Sequence, residues 1–103
     1  MGEEQRQWKL LGQRYRDLED RKLCGSIFRD QNGAFGWRLN WFGQGRILDD
    51  YWFDKGDFFE TINLDNDGHW KSGNKLTEID PSTESCMRET MNMWEREERE
   101  REC

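Results

Sequence analysis

Hydrophobic and polar positions change period along the chain, and each period predicts a different element. Over residues 3 to about 20, Trp8, Leu11, Tyr15 and Leu18 recur at offsets of three, four and three, with Arg, Lys and Glu between them. That is one apolar stripe at helical spacing and predicts an amphipathic N-terminal helix. Gly12 weakens that helix by about 1 kcal/mol relative to Ala. Residues 23–42 switch to period two around Asn32-Gly33, a dipeptide favoured in two-residue type I′ hairpin turns. Pairing outward from such a turn sets Asp30 opposite Phe35, Phe28 opposite Trp37, Ser26 opposite Leu39 and Cys24 opposite Trp41, all on one face. The other face, with Ile27, Arg29, Arg38 and Asn40, reads as mostly wet.

Gly43-Gln44-Gly45-Arg46 ends this strand as a turn. Its Gly-x-Gly has neither the Gly-Lys-Ser/Thr nor the following helix of a phosphate loop. Residues 57–64 predict another strand, Asp65-Asn66-Asp67-Gly68 a turn, and His69-Trp70-Lys71 a short returning strand, with loop over 72–79. Asp80-Pro81 then opens a helix, Asp80 as N-cap and Pro81 at the first helical position. Cys86, Met87, Thr90, Met91 and Trp94 line one side of it. Past Trp94 only alternating charge remains, from Glu95 to Glu102, which reads as a solvated helix end that frays. The expected fold is α+β: a three- to four-stranded antiparallel sheet flanked by an N-terminal and a C-terminal helix. Residues 1–94 form the single domain and residues 95–103 the charged helix end.

Composition adds a tension. Hydrophobic residues are 33% of the 103 and charged residues 37%, a balance that leans towards disorder. Six Trp, six Phe and two Tyr oppose it, because each ring buries a large area and a few suffice for a core. No stretch is long and apolar enough to span a membrane, and the polar start Met1-Gly2-Glu3-Glu4-Gln5-Arg6 lacks the apolar run of a secretory signal. Cys24, Cys86 and Cys103, an odd number at wide spacing, read as free thiols in a reducing cytoplasm. The net charge of −6 is unevenly spread. Residues 1–48 hold nine Lys/Arg against six Asp/Glu, a net of +3, and residues 49–103 hold seven against sixteen, a net of −9. The second half repels phosphates and attracts basic protein surfaces.

Candidate chemistry is sparse. Asn63-x-Asp65-x-Asp67-Gly68 resembles the first half of a calcium loop, but Asn74 stands where the bidentate Glu belongs, and an Asp-Gly turn accounts for it better. His69 with the three cysteines offers zinc-ligand types without the close spacing of a structural site. No Ser or Cys sits in a nucleophile motif, and acid pairs such as Asp49-Asp50 or Asp54/Asp57 read as solvated loop acids rather than magnesium ligands. The expectation is therefore no enzyme, no catalytic residues, no metal and no cofactor. Trp37, Trp41 and Arg38 are the parts of a base-stacking platform, but the hairpin register turns both Trp towards the core.

One segment stands apart: Asp49-Asp50-Tyr51-Trp52-Phe53-Asp54-Lys55-Gly56-Asp57-Phe58-Phe59-Glu60 packs five aromatics and five acids into twelve residues. Three consecutive rings cannot all face one core, so at least one is expected at the surface. Aromatics flanked by carboxylates suit an interface with a Lys/Arg-rich partner. Asp49, Asp50, Tyr51, Trp52, Asp54 and Asp57 are the candidate partner-binding residues.

In overall texture the chain resembles the small proteins that phages and mobile elements encode against host defence, anti-CRISPR proteins among them. The resemblance rests on short length, acidity, the Trp-rich hairpin from Gly25-Ser26-Ile27-Phe28-Arg29 to Gly36-Trp37-Arg38-Leu39-Asn40-Trp41, and the charged C-terminal helix. It carries no site residues. It implies an inhibitor that occludes a basic, nucleic-acid-binding groove of a host complex and acts in the host cytoplasm. The expected function is a non-catalytic binding protein for a basic partner surface, with no direct nucleic acid or membrane binding and with homo-oligomerisation left open. The alternatives are a small nucleic-acid-binding or regulatory module using the +3 half, and then a compact hydrolase.

Overall fold

The structure, a computed structural model, describes residues 6–62 and 73–101. Among them the order is β1 (Trp8–Asp17), β2 (Lys22–Asp30), β3 (Phe35–Gly43), β4 (Arg46–Asp54), β5 (Asp57–Glu60) and α1 (Pro81–Arg101). The strands form one antiparallel meander in sequence order. The fold is α+β, but with five strands rather than three or four, and it opens with a strand where the spacing predicts a helix. The Asp65–Gly68 turn and the strand expected at His69-Trp70-Lys71 lie outside the described residues.

The N-terminal correction has a physical cause. Arg14 and Arg16 occupy the inward positions of β1, where polar groups of α1 receive them: Arg14 reaches Glu98 at 3.0 Å, and Arg16 donates to the Thr90 hydroxyl at 2.6 Å with Glu89 3.7 Å away. A strand whose inward positions are arginines shows no apolar alternation, so the 3.6-residue stripe dominates the pattern. The stripe itself is divided by a bulge between Leu10 and Gly12. Leu11 and Leu18 pack towards α1, while Trp8 packs on the opposite face.

The β2–β3 hairpin forms at the expected place in a register one residue away. Ile27 faces Trp37, Gly25 faces Leu39 and Leu23 faces Trp41. Trp37, Leu39 and Trp41 are on the core side as expected, but their neighbours are Ile27, Gly25 and Leu23 rather than Phe28, Ser26 and Cys24. Asp30 sets this register. Its carboxylate accepts the amides of Asn32 (2.9 Å) and Ala34 (2.8 Å), and its backbone N–H donates to the Ala34 carbonyl (2.9 Å). The loop is therefore three residues, Gln31-Asn32-Gly33, with only Gly33 at positive φ. Packing agrees, because a Cβ on Gly25 would lie 2.4 Å from the Trp94 ring, so glycine alone lets α1 settle there. NMR is expected to show cross-strand NOEs between Ile27 and Trp37 and between Gly25 and Leu39. Phe28–Trp37 as the directly opposed pair would overturn the register.

The next two turns, Gln44-Gly45 and Lys55-Gly56, have positive φ at both central residues, the geometry of two-residue hairpin turns. The strand expected over 57–64 ends at Glu60. Its outer edge is covered by the returning chain: Glu60 N–H donates to Asn74 O and Leu76 N–H to Phe58 O, both at 2.8 Å.

Helix α1 starts as its sequence predicts. The Asp80 carboxylate accepts from the Ser82 hydroxyl (2.6 Å) and the Thr83 amide (3.1 Å), and these bonds hold it below the ordinary carboxyl range. Met87, Met91 and Trp94 pack with Leu23, Ile27, Trp37, Leu39, Trp41 and Phe58 into the main core. The helix runs on to Arg101, and the charged end past Trp94 is tied to the sheet on one side. Glu95 accepts the Trp37 indole N–H at 2.8 Å, and Glu98 takes Arg14. A smaller cluster of Trp8, Trp52 and Ile62, with Phe28 and Phe59, covers part of the opposite face.

Candidate functional site

The acidic-aromatic segment 49–60 is the β4–β5 hairpin. It meets the three-ring problem in a way the sequence does not suggest, because the sheet is covered on both sides at this point. Tyr51 and Phe53 face α1 and ring against Phe58 at 6.1 and 4.8 Å. Trp52 faces the other way and is 1% exposed, edge-on to Trp8 at 5.2 Å and tilted against Phe28 at 5.5 Å. The expectation of an exposed ring among the three is corrected: Tyr51 and Phe53 are half-buried and Trp52 is core.

The four candidate acids divide likewise. Asp54, 3% exposed, is bound by Arg6. Asp50 pairs with Arg38 at 3.0 Å and Asp57 with Lys75 at 3.2 Å, both partly exposed. Asp49 is exposed. Three of the four thus have a cation of their own chain beside them, which lowers their attraction for an outside one.

Arg6 makes the densest polar cluster. Its Nε and Nη2 donate to Asp30 Oδ2 at 3.0 and 2.8 Å, Nη1 donates to Asp54 Oδ2, and Nη2 reaches Asp54 Oδ1 at 3.3 Å. The guanidinium also lies 4.2 Å from the centre of the Trp8 ring. Burial alone would push the Asp30 carboxyl up. The amides of Ala34 and Asn32 and the Arg6 guanidinium outweigh that and hold it below the ordinary range.

The surface left open is at the other end of the sheet. Alternation places Gln13 and Tyr15 of β1, Cys24 and Ser26 of β2, and Arg38, Asn40 and Phe42 of β3 on the face away from α1. A hollow of about 390 Å³ there is lined by Tyr15, Lys22, Cys24, Phe42 and Arg46, together with the backbone of Gly43 and Gly45. Phe42 pairs with Ile47 across a bulge, and Leu48 leans over Gly43 beside the Asp20 carbonyl. Tyr15 is 63% exposed, Ile47 52% and Leu48 40%. Asp17, Glu19 and Asp20 are exposed in and beside the β1–β2 turn, and Asp49 is exposed opposite Trp41 on the α1 side. The sequence pattern does not single out Tyr15, Ile47 or Leu48. Tyr15 is absorbed into the helical stripe, and the β3–β4 bulge that exposes Ile47 and Leu48 has no signal of its own.

Neither described cysteine is bonded, and both are half-buried. Burial pushes the Cys24 thiol up, away from the reactive thiolate. No group of three or more His, Cys, Asp or Glu side chains that could hold a metal occurs among the described residues. His69 lies outside them. No described helix is long and apolar enough to cross a membrane. Comparison of the chain with protein-family models, curated proteins and solved structures finds no match.

Proposed function

We propose that this chain is a non-catalytic binding protein that seats the open end of its sheet on a basic surface of a partner protein. One observation carries the reading: Tyr15 and Ile47 lie exposed on the face away from α1, with the half-buried Phe42 on the strand between theirs. Gathered apolar groups with a charged rim suit an interface core with a selective edge. The rim carries Asp17, Glu19 and Asp20 against Lys22 and Arg46, with Arg21 of the same turn drawn onto the Trp41 ring. Asp49, opposite Trp41 on the α1 side, falls outside this surface, and the anchor role moves from Trp52 to Tyr15 and Ile47. Occlusion of a basic groove, as by the host-defence inhibitors whose texture the sequence resembles, is the instance this chemistry suits.

Affinity capture with the wild type and with a Tyr15→Ala/Ile47→Arg variant tests it. Both positions are exposed, so the variant is expected to keep its melting temperature and to lose tenfold or more in affinity for the captured partner. Undiminished capture by the folded variant overturns the reading.

A second reading has its own observation. Tyr15 and Phe42 stand on either side of β2 with Lys22 and Arg46 at the mouth of the hollow and Gln13, Ser26 and Asn40 beside it. Rings with nearby cations and amides on an open sheet suit single-stranded nucleic acid. Salt-sensitive binding of an oligothymidylate, lost in Tyr15→Ala and Lys22→Glu but kept in Ile47→Arg, would select this reading over the first.

A further inference from the structure

The two edges of the sheet end differently. The β5 edge is covered by the returning chain at Asn74 and Leu76, whereas β1 has no strand on its outer side among the described residues. Leu18 N–H donates to Arg21 O at 2.8 Å and closes the β1–β2 turn. Backbone groups alternate in direction along a strand, so Arg16, Arg14 and Gly12 turn theirs to β2. Asp17, Tyr15 and Gln13 turn theirs to the open side. A row of this kind is a template for another strand unless something blunts it. No proline interrupts β1, and its arginines are drawn up onto α1, where Arg14 meets Glu97 and Glu98 and Arg16 meets Glu89. Gln13, Tyr15 and Asp17 are the side chains left exposed along the row.

We propose that this edge pairs with the β1 edge of a second copy, antiparallel, about a two-fold axis through Tyr15. The regular run lies between the Leu10/Gly12 bulge and the turn at Leu18, and Tyr15 is the middle one of its three open residues. Centring there sets Tyr15 against Tyr15 and each Gln13 against Asp17 of the other copy, so every open backbone group in the run gains a partner. The side chains are self-complementary in the same register. Tyr15, 63% exposed, is the most exposed large apolar side chain among the described residues, and its ring is covered by its own counterpart. The Gln13 amide meets the Asp17 carboxylate. On the α1 side Arg14 faces Arg16 of the other copy, and each such pair has Glu97 of one copy and Glu89 of the other beside it. Centring on Arg14 instead would oppose that guanidinium to itself and leave the Asp17 groups bare. The helix packs over β2, β3 and β5, so the two helices stand clear of each other. Each edge is used once, and assembly stops at a dimer. The dimer does not rest on the docking surface proposed above. It sets both copies of that surface on one side of a continuous sheet.

Sedimentation velocity tests the pairing. Three strand pairs and two rings make a small contact, so the expected dissociation constant is on the order of 100 µM. Gln13→Pro removes a donor that faces the open side and no donor to β2, so it is expected to stay folded and weaken the dimer tenfold or more. Where Gln13→Pro lowers the melting temperature, Tyr15→Lys reads the same contact by opposing two ammonium groups on the axis. A wild type still monomeric at ~1 mM, or folded edge variants that dimerise as it does, overturn the proposal. The register is read by cross-linking in a Cys24→Ser background, which removes the thiol opposite position 15. Tyr15→Cys is expected to form an intermolecular disulfide under mild oxidation, because directly opposed Cα atoms lie about 5.5 Å apart. Gln13→Cys, four residues out of register with itself, is expected not to, and equal cross-linking at both positions overturns the axis. Ile47→Arg lies away from this edge and is expected to keep the dimer, so loss of partner capture and loss of the dimer are separate failures.

Discussion

Truncating Trp37 to Ala is expected to lower the melting temperature by roughly 15–30 °C, from a loss of about 3–5 kcal/mol. Trp37 has no solvent exposure and sits at the centre of the main core. Its ring lies 5.6 Å from that of Trp94, and its indole N–H donates to Glu95 at 2.8 Å. Truncation therefore opens a cavity between sheet and helix, removes the contact that seats α1, and leaves the Glu95 carboxylate without its donor. Trp37→Phe keeps most of the ring and is expected to cost less than half as much. Thermal circular dichroism on both variants, with Tyr15→Ala as a near-neutral control, checks the ranking. A drop below 5 °C for Trp37→Ala would mean that the helix does not depend on this face of the sheet.

Arg6→Ala is expected to be comparably severe, about 3–5 kcal/mol at neutral pH, because it leaves two buried carboxylates facing each other unpaired. The effect has a pH signature. In the wild type the Asp30 carboxyl is held below its ordinary range, so its contribution is fully present above about pH 4 and is lost as pH falls through the lower folded value. In Arg6→Ala a proton relieves the repulsion at higher pH than in the wild type. The gap in melting temperature between the two proteins is therefore expected to narrow from pH 7 to pH 3.5. A gap that stays constant or widens on acidification would show that Arg6 acts through packing on Trp8 rather than through its charge. Asp54→Asn, which removes one of the two opposed charges, is expected to soften the Arg6→Ala defect when the two are combined.

These expectations depend on features with very different visibility in the sequence. The start of α1 is written locally: Asp80 and Pro81 act within one turn, and the Met87, Met91 and Trp94 stripe declares the buried face. The presence of the β2–β3 hairpin and the core side of β3 are local as well, since turn residues and period-two alternation depend only on neighbours. Register was not local. It turned on the Asp30 carboxylate, which closes a three-residue loop, and on Gly25, whose missing side chain makes room for Trp94 sixty-nine residues away. A one-residue slip moves a whole strand to the other face, so a small error in the loop becomes a full exchange of core and surface.

The N-terminal strand and the fate of the acidic-aromatic segment belong wholly to tertiary structure. β1 is extended because β2 offers it an edge and α1 offers the Glu98 carboxylate to Arg14 and the Thr90 hydroxyl to Arg16, and neither partner is visible from residues 8–17 alone. The consecutive rings Tyr51, Trp52 and Phe53 find cover because α1 lies on one face of the sheet and Trp8 on the other. Charge composition determined that the chain carries an acidic excess, but pairing determined which acids remain outward: Arg6 withdrew Asp54, while Asp49 was left at the surface. Local chemistry thus set the turns, the helix cap and one buried face. Contacts between residues distant in sequence decided which side chains face solvent, because exposure depends on what the rest of the chain places above each face.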